Sequence, residues 1–178
     1  LLNIRFSPPL ADERIAAISQ IKMGSYKKIQ LEFDSVFWAD APMLLTCDRD
    51  KYTLWNNYMC SKNKPIIEAV CPADIGWGLA GYSDEEIVDT MMTNLRTFYP
   101  GAPDPVAWHI TRWEEDVFSQ GAYSYHDCNI TDIDVHHVYE KIDNVIFFAG
   151  EHTDPLYYGS LHAAYNSGIR VLKELSID

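Results

Sequence analysis

The sequence contains no apolar run long enough to cross a bilayer, and it has few basic residues. No segment approaches the roughly 18 consecutive apolar residues of a spanning helix, and the N-terminal residues lack the layout of a signal peptide. The 178 residues include 26 acidic and 14 basic side chains, which gives a formal net charge of −12. Because a negative surface repels phosphate backbones and anionic lipids, we expect a soluble protein that binds neither nucleic acid nor membranes. Nothing in the sequence indicates its compartment.

Cysteine pairs and metal-ligand patterns are also missing. The four cysteines are widely spaced and form no C-x-x-C pair, which predicts free, buried thiols rather than a disulfide framework. The six histidines show no spacing with a cysteine or an acid that is typical of metal ligands, so we expect no metal site. The G-x-S-x-G motif of many hydrolases is absent as well.

An initiating methionine is absent too, and the chain opens on an apolar segment, Leu1 to Phe6, that is typical of a strand. We therefore expect an internal segment of a longer protein. The length suits one domain or part of a larger one, and 47% hydrophobic residues are enough to form a core.

Hydrophobic periodicity predicts a sheet in the first half of the chain. Alternating apolar and polar residues over 26–33 indicate a strand with one buried face. Turn-forming residues separate three further short apolar runs, at 43–47, 53–59 and 66–71. This spacing favours an antiparallel meander.

The second half carries stronger helix signals. Ser83 and Glu86 form a capping box, which begins an amphipathic helix that ends near residue 99. We also expect further elements from periodicity and apolar runs: helices over 11–21 and 159–175, a strand over 106–111 and a fully buried strand over 144–149.

The segment from Val145 to Thr153 has the pattern of a cofactor site. An apolar strand runs into a Gly150-Glu151 turn, and a helix follows. In open α/β sheets, cofactors bind beyond the carboxyl ends of strands, where helix N-termini present free N–H groups. A carboxylate at such a turn can bind ribose or ribityl hydroxyls. The alternative is that the small residues of the last helix serve tight helix–sheet packing alone.

A loop from Arg112 to Ser124 combines Trp113, Phe118 and Tyr123 with the permissive Gly121. Exposed aromatic side chains are costly unless they cover something. The loop is therefore a candidate wall of a binding site, and the alternative is a loop that packs into the core.

Together and in this order, these segments resemble the C-terminal part of the flavin-dependent amine oxidases. The resemblance covers nearly the whole chain, and its most specific block is Gly-Glu-His-Thr at 150–153 followed by the Ser-Gly of the last helix. The matching segments are Ser7 to Leu10, Tyr26 to Phe33, Phe37-Trp38, Arg112 to Ser124, Phe148 to Thr153 and Leu161 to Arg170. The chain looks most similar to the branch of polyamine oxidases and flavin histone demethylases.

The resemblance implies an α/β protein with two parts. Residues 1–125 would be a portion of an α+β substrate-binding domain with a mixed sheet. Residues 126–178 would be the last strand and helix of a Rossmann-like FAD-binding domain. The G-x-G-x-x-G motif that grips the ADP half of FAD is absent, so the N-terminal dinucleotide-binding half is missing from this chain. Alone, the chain should not hold FAD tightly.

The same resemblance implies roles for individual residues. Lys28 matches a catalytic lysine that holds a water against flavin N5, and Lys27 would then be exposed. The residues that match the family's cofactor contacts are Trp113, Gly150, Glu151, Ser160 and Leu161. The residues that match its substrate contacts are Phe118, Tyr123 and Ser160. Ser160 replaces a second aromatic of the substrate clamp in some polyamine oxidases, which would make the pocket wider or more polar.

The implied function is oxidation of a C–N bond in a polyamine-like amine, with FAD as cofactor and dioxygen reduced to hydrogen peroxide. The implied partners are the small amine, dioxygen and the missing N-terminal half of the same protein. One alternative is an L-amino-acid oxidase of the same superfamily, which would need an arginine for the substrate carboxylate. Another is a non-catalytic binding module with the amine oxidase fold.

Overall fold

A computed structural model of the chain describes residues 3–48 and 51–175. The helices and strands alternate irregularly along the chain, with a 3₁₀ turn at Glu151–Thr153. In chain order they are α1 (Asp12–Ser19), β1 (Ile21–Gly24), β2 (Tyr26–Glu32), β3 (Met43–Asp48), β4 (Lys51–Asn57), α2 (Tyr58–Lys62), β5 (Ile66–Pro72), α3 (Ala73–Trp77), α4 (Asp84–Phe98), β6 (Ala107–Ile110), β7 (Tyr123–His126), α5 (Asp132–Tyr139) and α6 (Leu161–Glu174).

The chain divides into two compact units. Residues 25–122 form one of them, which we call the sheet unit, and residues up to 24 together with those from 123 onward form the other, which we call the terminal unit. Because both units contain helices and strands, the prediction of an α/β protein is confirmed. The assignment of residues 1–125 and 126–178 to a substrate domain and a flavin domain stays a prediction.

The sheet unit contains a five-stranded sheet in the order β3-β4-β5-β2-β6. The consecutive strands β3, β4 and β5 pair antiparallel, which confirms the meander. The two pairings of β2 are antiparallel as well, so the expectation of a mixed sheet is wrong for the described residues. The strand predicted over 53–59 ends at Asn57, because the Asn57 side chain accepts a hydrogen bond from the Met59 N–H and caps α2.

Helix α4 covers one face of this sheet. The predicted capping box is present, since the Ser83 side chain accepts from the Glu86 N–H and the Glu86 carboxylate accepts from the Ser83 N–H. The buried side of α4 packs into one core cluster with β2, β4 and β5. Its members on the helix are Ile87, Val88, Met91, Met92 and Leu95. Each such side chain contributes about 1.5–3 kcal/mol on burial.

The strand alternation of β2 divides its side chains between two faces. Lys27, Ile29 and Leu31 are buried on the face that α4 covers. Lys28 and Gln30 lie on the opposite face, which we call the outer face and which also carries Glu68 of β5 and Asn56 of β4.

The terminal unit contains the antiparallel pair β1–β7 and three helices. Helices α1 and α5 pack against each other through a small cluster of Ala17, Ile18 and Val138. The last helix, α6, begins where predicted, with the Ser160 side chain accepting a hydrogen bond from the Ala163 N–H. No helix of the described residues in either unit has the length and apolarity of a membrane span.

Two predicted strands of the terminal unit are wrong. Residues 3–6 form turns and irregular structure, and Leu1 and Leu2 lie outside the described residues. Residues 144–149 form no strand either, apart from one isolated bridge between Ile142 and Ile146, and Val145 is 77% exposed. A fully apolar strand needs hydrogen-bonded neighbours and cover on both faces. In the described part of the chain no strand pairs with this segment beyond that bridge, and of its side chains only Phe148 is buried.

The cysteine prediction is half confirmed. Cys60, Cys71 and Cys128 are free, but only Cys71 is buried. Burial raises the pKa of the Cys71 thiol to about 11, so it stays protonated at neutral pH. Cys60 lies on the short surface helix α2 and Cys128 on a turn, which explains their exposure. The side chain of Cys47 lies outside the described part.

Candidate functional site

Lys28 lies on the outer face of β2, beside the start of the loop from Arg112 to Ser124, which we call the aromatic loop. Its backbone N–H donates to the Thr111 Oγ1 at 2.8 Å, and the Thr111 N–H donates to the Lys28 carbonyl at 3.0 Å. These bonds extend the pairing of β2 with β6 to the residue at which the loop begins. The Lys28 side chain is 41% exposed and its Nζ lies 3.7 Å from the Glu68 Oε1. The amine is therefore accessible and faces a carboxylate.

The expectation that Lys27 is exposed is wrong. Its side chain is fully buried and forms an ion pair with Glu114, whose side chain is 2% exposed. The Lys27 Nζ also donates to the Thr111 carbonyl at 3.3 Å. A buried amine is tolerated only when it is paired, and Glu114 supplies the opposite charge. This pair ties the aromatic loop to β2.

Glu68 is a site residue that sequence reasoning missed. It is fully buried, and its carboxylate accepts hydrogen bonds from the Gln30 Nε2 at 2.7 Å, the Asn56 Nδ2 at 3.0 Å and the Tyr58 hydroxyl at 3.0 Å. Burial opposes ionisation, but these hydrogen bonds and the Lys28 charge outweigh it and hold the pKa of Glu68 below its ordinary value. The signal available in the sequence was a charged residue in the middle of the apolar run 66–71.

The loop after Thr111 presents aromatic side chains to solvent. The Gly121 N–H donates to the Trp113 carbonyl at 2.9 Å, which closes the loop. At its tip, the Asp116 carboxylate accepts from the N–H groups of Phe118 and Ser119, and these bonds hold the pKa of Asp116 below its ordinary value. Trp113 is 50% exposed and Phe118 is 92% exposed. Neither ring belongs to a core cluster of the described residues.

Arg112 fixes the start of the loop to the N-terminus of α4. Its guanidinium donates to the Asp84 carboxylate at 2.5 and 3.2 Å, to Glu115 at 2.7 Å and to the Tyr82 carbonyl at 2.9 Å. The hydrogen bonds to Asp84 raise the pKa of Arg112 further. This arginine is engaged within the protein.

Glu151 lies at the centre of the second set of site residues, in the terminal unit. Its carboxylate accepts from the Ser124 N–H at 2.9 Å, from the Ser124 hydroxyl at 2.7 Å and from the Gly159 N–H at 2.6 Å. Burial opposes ionisation here too, but these hydrogen bonds hold the pKa of Glu151 below its ordinary value. A carboxylate has about four acceptor positions, and these hydrogen bonds occupy three of them.

Glycines with positive φ stand directly before Glu151 and directly before the N-cap residue of α6. Gly150 has φ +135°, and a Cβ there would lie 2.6 Å from the His152 ring. Gly159 has φ +71°, and a Cβ there would lie 3.4 Å from the Tyr123 ring. These backbone positions bring Tyr123 and the Glu151 turn to the start of α6.

The start of α6 has the donors of an anion or acceptor site. The Ser160 side chain satisfies the Ala163 N–H, while the first N–H groups of a helix, here those of Leu161 and His162, have no partner within the helix. The positive end of the helix dipole lies at the same place. Leu161 is 90% exposed, so an apolar side chain flanks these donors. This combination fits the acceptor-rich edge of a flat ring such as a flavin.

The structure thus places the predicted residues in two sets, each within one unit. The terminal unit brings together Tyr123, Gly150, Glu151, Ser160 and Leu161. The sheet unit links Lys28 to the loop that carries Trp113 and Phe118, and it adds Glu68 and the Lys27–Glu114 pair, which the sequence did not indicate.

The described residues include one group with metal-ligand atoms close together. The side-chain ligand atoms of His136, His137 and Glu140, around the end of α5, lie within 4.8 Å of one another on the surface. An exposed group of this kind is common in proteins without a metal, and the expectation of no metal site stays a prediction.

Comparisons with known proteins add a family to this geometry. A family model described as flavin containing amine oxidoreductase matches residues 1–174. The chain is 33% identical over 172 residues to "Polyamine oxidase 5" of Oryza sativa subsp. japonica, and the match covers 93% of this chain and 34% of that protein. It is 31% identical over 177 residues to "Lysine-specific histone demethylase 1 homolog 3" of Arabidopsis thaliana, which covers 94% of this chain and 11% of that protein. The chain therefore spans about a third or less of these relatives.

Proposed function

Because this chain belongs to the flavin-containing amine oxidoreductase family, for which FAD is the expected cofactor, we propose that it is the C-terminal portion of a polyamine oxidase. The chemistry that FAD supplies when bound is acceptance of a hydride at N5 from the carbon next to an unprotonated amine, and reduction of dioxygen to hydrogen peroxide. The oxidised amine is an imine, which water hydrolyses. The protein's contribution is to bind the cofactor and the amine, to orient them and to exclude water.

Lys28 is the residue that we assign to the reacting end of the cofactor. The observation that carries this proposal is the position of its amine: accessible, on the outer face of β2, and joined through Thr111 to the loop of Trp113. From there it would hold a water or dioxygen at the flavin N5. Trp113 would lie against the flavin ring, because half of its surface is exposed and unused by the core.

The substrate would meet aromatic side chains. Phe118 and Tyr123 are exposed in their units and are suited to the methylene chain of an amine, while the serine at 160 leaves one side of the clamp more polar. The net charge of −12 attracts a cationic polyamine before it loses a proton in the site.

The terminal unit would hold the cofactor. Gly150 permits the turn, Glu151 would offer a remaining acceptor position to a ribityl or ribose hydroxyl, and the N–H groups at Ser160 and Leu161 would bind the pyrimidine edge. In this proposal residues 126–178 belong to the FAD-binding domain and residues 1–125 to the substrate domain.

The proposed partner of the terminal unit is the N-terminal half of the same protein. The most exposed apolar side chains of this unit include Val145, Leu156, Tyr157, Leu161 and Tyr165. A surface of this kind is normally covered. We expect the 178-residue chain, expressed alone, to associate or fold poorly and to copurify without a full equivalent of FAD. A monomeric, cooperatively unfolding and fully yellow chain would contradict this.

An L-amino-acid oxidase is the less favoured reading. That activity needs an arginine free to bind a carboxylate, whereas Arg112 is engaged by Asp84 and Glu115, and Arg96 by Asp104 and the Ala102 carbonyl. A non-catalytic module would have no use for a lysine at the flavin, which is where this proposal assigns Lys28.

The deciding experiment uses a full-length protein that contains this chain. Under anaerobic conditions, spermine should bleach the flavin absorbance, and an L-amino acid such as leucine should leave it unchanged. Readmission of air should restore the absorbance with release of hydrogen peroxide. Bleaching by leucine alone would favour the amino-acid oxidase, and no bleaching by any amine would favour the binding module.

A further inference from the structure

Glu68 is an unusual residue for the position it occupies. It lies in the middle of β5, where Ile67 and Ala69 are core residues on the other face, and it is itself fully buried on the outer face. Burial of a carboxylate is costly unless opposite charge and hydrogen bonds compensate. A fully buried carboxylate in the middle of a strand is uncommon, so Glu68 calls for an explanation beyond packing.

The partners of Glu68 fix its carboxylate in place. Gln30, Asn56 and Tyr58 donate hydrogen bonds from three different elements, β2, β4 and α2. The Gln30 Nε2 also reaches the Tyr58 hydroxyl at 3.4 Å, so the donors are linked to one another. One oxygen, Oε1, also faces the Lys28 Nζ at 3.7 Å. The result is an immobile anion directed at a flexible amine.

We propose that Glu68 is a positioning residue for Lys28, an inference that rests on the proposed function of Lys28 at the cofactor. A lysine has a flexible four-carbon stem and its ammonium is a point charge, so the side chain alone does not define where the amine lies. The rigid carboxylate restricts the amine to one part of the outer face. Glu68 itself is covered by its donors and acts only through Lys28.

The test is a double-mutant cycle in the full-length flavoprotein. The variants are Glu68→Gln, Lys28→Met and the double variant. Glutamine keeps the shape of the side chain, and the amides of Gln30 and Asn56 can rotate to pair with it, so the main loss is the anion facing Lys28. Glu32→Gln is the matched control, because it removes a carboxylate from the exposed end of β2, the strand that carries Lys28.

The first measurement is the rate at which the amine-reduced flavin is reoxidised by dioxygen. We expect Glu68→Gln to slow reoxidation by about tenfold, since misplacement of a reacting group by about 1 Å can cost up to about 100-fold. In the Lys28→Met background the same substitution should have no further effect. The control should match the wild type. A purely structural role predicts instead that Glu68→Gln slows reoxidation equally in both backgrounds.

The second measurement does not depend on turnover. Urea unfolding is measured for the wild type, the two single variants and the double variant. Lys28→Met should lower the urea midpoint in the wild type and lower it less in the Glu68→Gln background, because the two side chains are coupled. Equal shifts in both backgrounds would overturn the positioning role.

The outcomes separate this inference from the proposed function. Normal reoxidation in Glu68→Gln together with slow reoxidation in Lys28→Met would overturn the role of Glu68 and leave that of Lys28 intact. Normal reoxidation in Lys28→Met would overturn both.

Discussion

Lys27 and Lys28 are neighbours in β2, yet their surroundings are opposite. Lys27 points to the core face, is closed off from solvent and pairs with Glu114. Lys28 points to the outer face, is partly exposed and faces Glu68. Because successive side chains of a strand alternate, a single strand supplies one lysine to the internal structure and the next to an accessible surface.

The comparison shows how one residue type serves two purposes. The buried Lys27–Glu114 ion pair holds the loop of Trp113 to β2, and its removal should lower the free energy of unfolding. An accessible amine contributes little to folding and is available for chemistry. Substitutions that disturb Lys27 should therefore lower stability, and substitutions of Lys28 should lower activity with little loss of stability.

The largest expected effect comes from Glu114→Ala. Removal of this carboxylate leaves the Lys27 ammonium buried and unpaired, which costs about 3–5 kcal/mol of unfolding free energy. The measurement is urea unfolding followed by circular dichroism. Glu115→Ala is the matched control, since Glu115 pairs with Arg112 at the surface and such pairs are worth at most about 1 kcal/mol. Equal losses of unfolding free energy in the two variants would show that the Lys27–Glu114 pair contributes no more to stability than a surface pair does.

The next effect compares the two faces through Ile29 and Gln30. Ile29→Ala empties a fully buried position under α4 and should cost about 2–5 kcal/mol. Gln30→Ala removes one hydrogen bond to the Glu68 carboxylate and should cost about 1.5–3 kcal/mol. Thermal unfolding of the two variants ranks them. A larger loss for Gln30→Ala would mean that the outer face, not the core face, dominates the stability of β2.

A smaller effect is expected in acid. The pKa of Glu68 is lowered in the folded protein, so its stabilising contribution is present above the unfolded pKa, which is about 4.5, and is lost as the pH falls through the lower folded value. Glu68→Gln removes this contribution. The variant should therefore lose less stability than the wild type between pH 5 and the folded pKa, as measured by urea midpoints across that range. Parallel pH profiles would contradict the lowered pKa.

Local patterns in the sequence predicted the elements that depend on neighbouring residues. The capping box of α4 and the alternation of β2 involve contacts within a few residues, and both are confirmed. The burial of Lys27 was predicted wrongly because its partner, Glu114, lies far along the chain. The strand over 144–149 was predicted wrongly because a fully apolar strand depends on neighbours that the described residues do not contain.

The candidate site shows the same limit. The glycine positions and the helix start around Glu151 follow from a local motif, and the structure gathers these residues around one turn. Glu68 was missed because its meaning comes from donors on three other elements. Periodicity indicates which face a residue occupies, but not which distant side chain it meets there.

The most direct test of the role of Lys28 is the rate at which reduced flavin is reoxidised in Lys28→Met, measured in a full-length protein that contains this chain. Lys62→Met, on the surface of α2, is the matched control. We expect Lys28→Met to keep its FAD, to lose about 1 kcal/mol or less of unfolding free energy, and to be reoxidised about 100-fold more slowly, as expected for a group that positions the reacting water or dioxygen. Reoxidation of Lys28→Met at the rate of Lys62→Met would show that Lys28 does not act at the flavin.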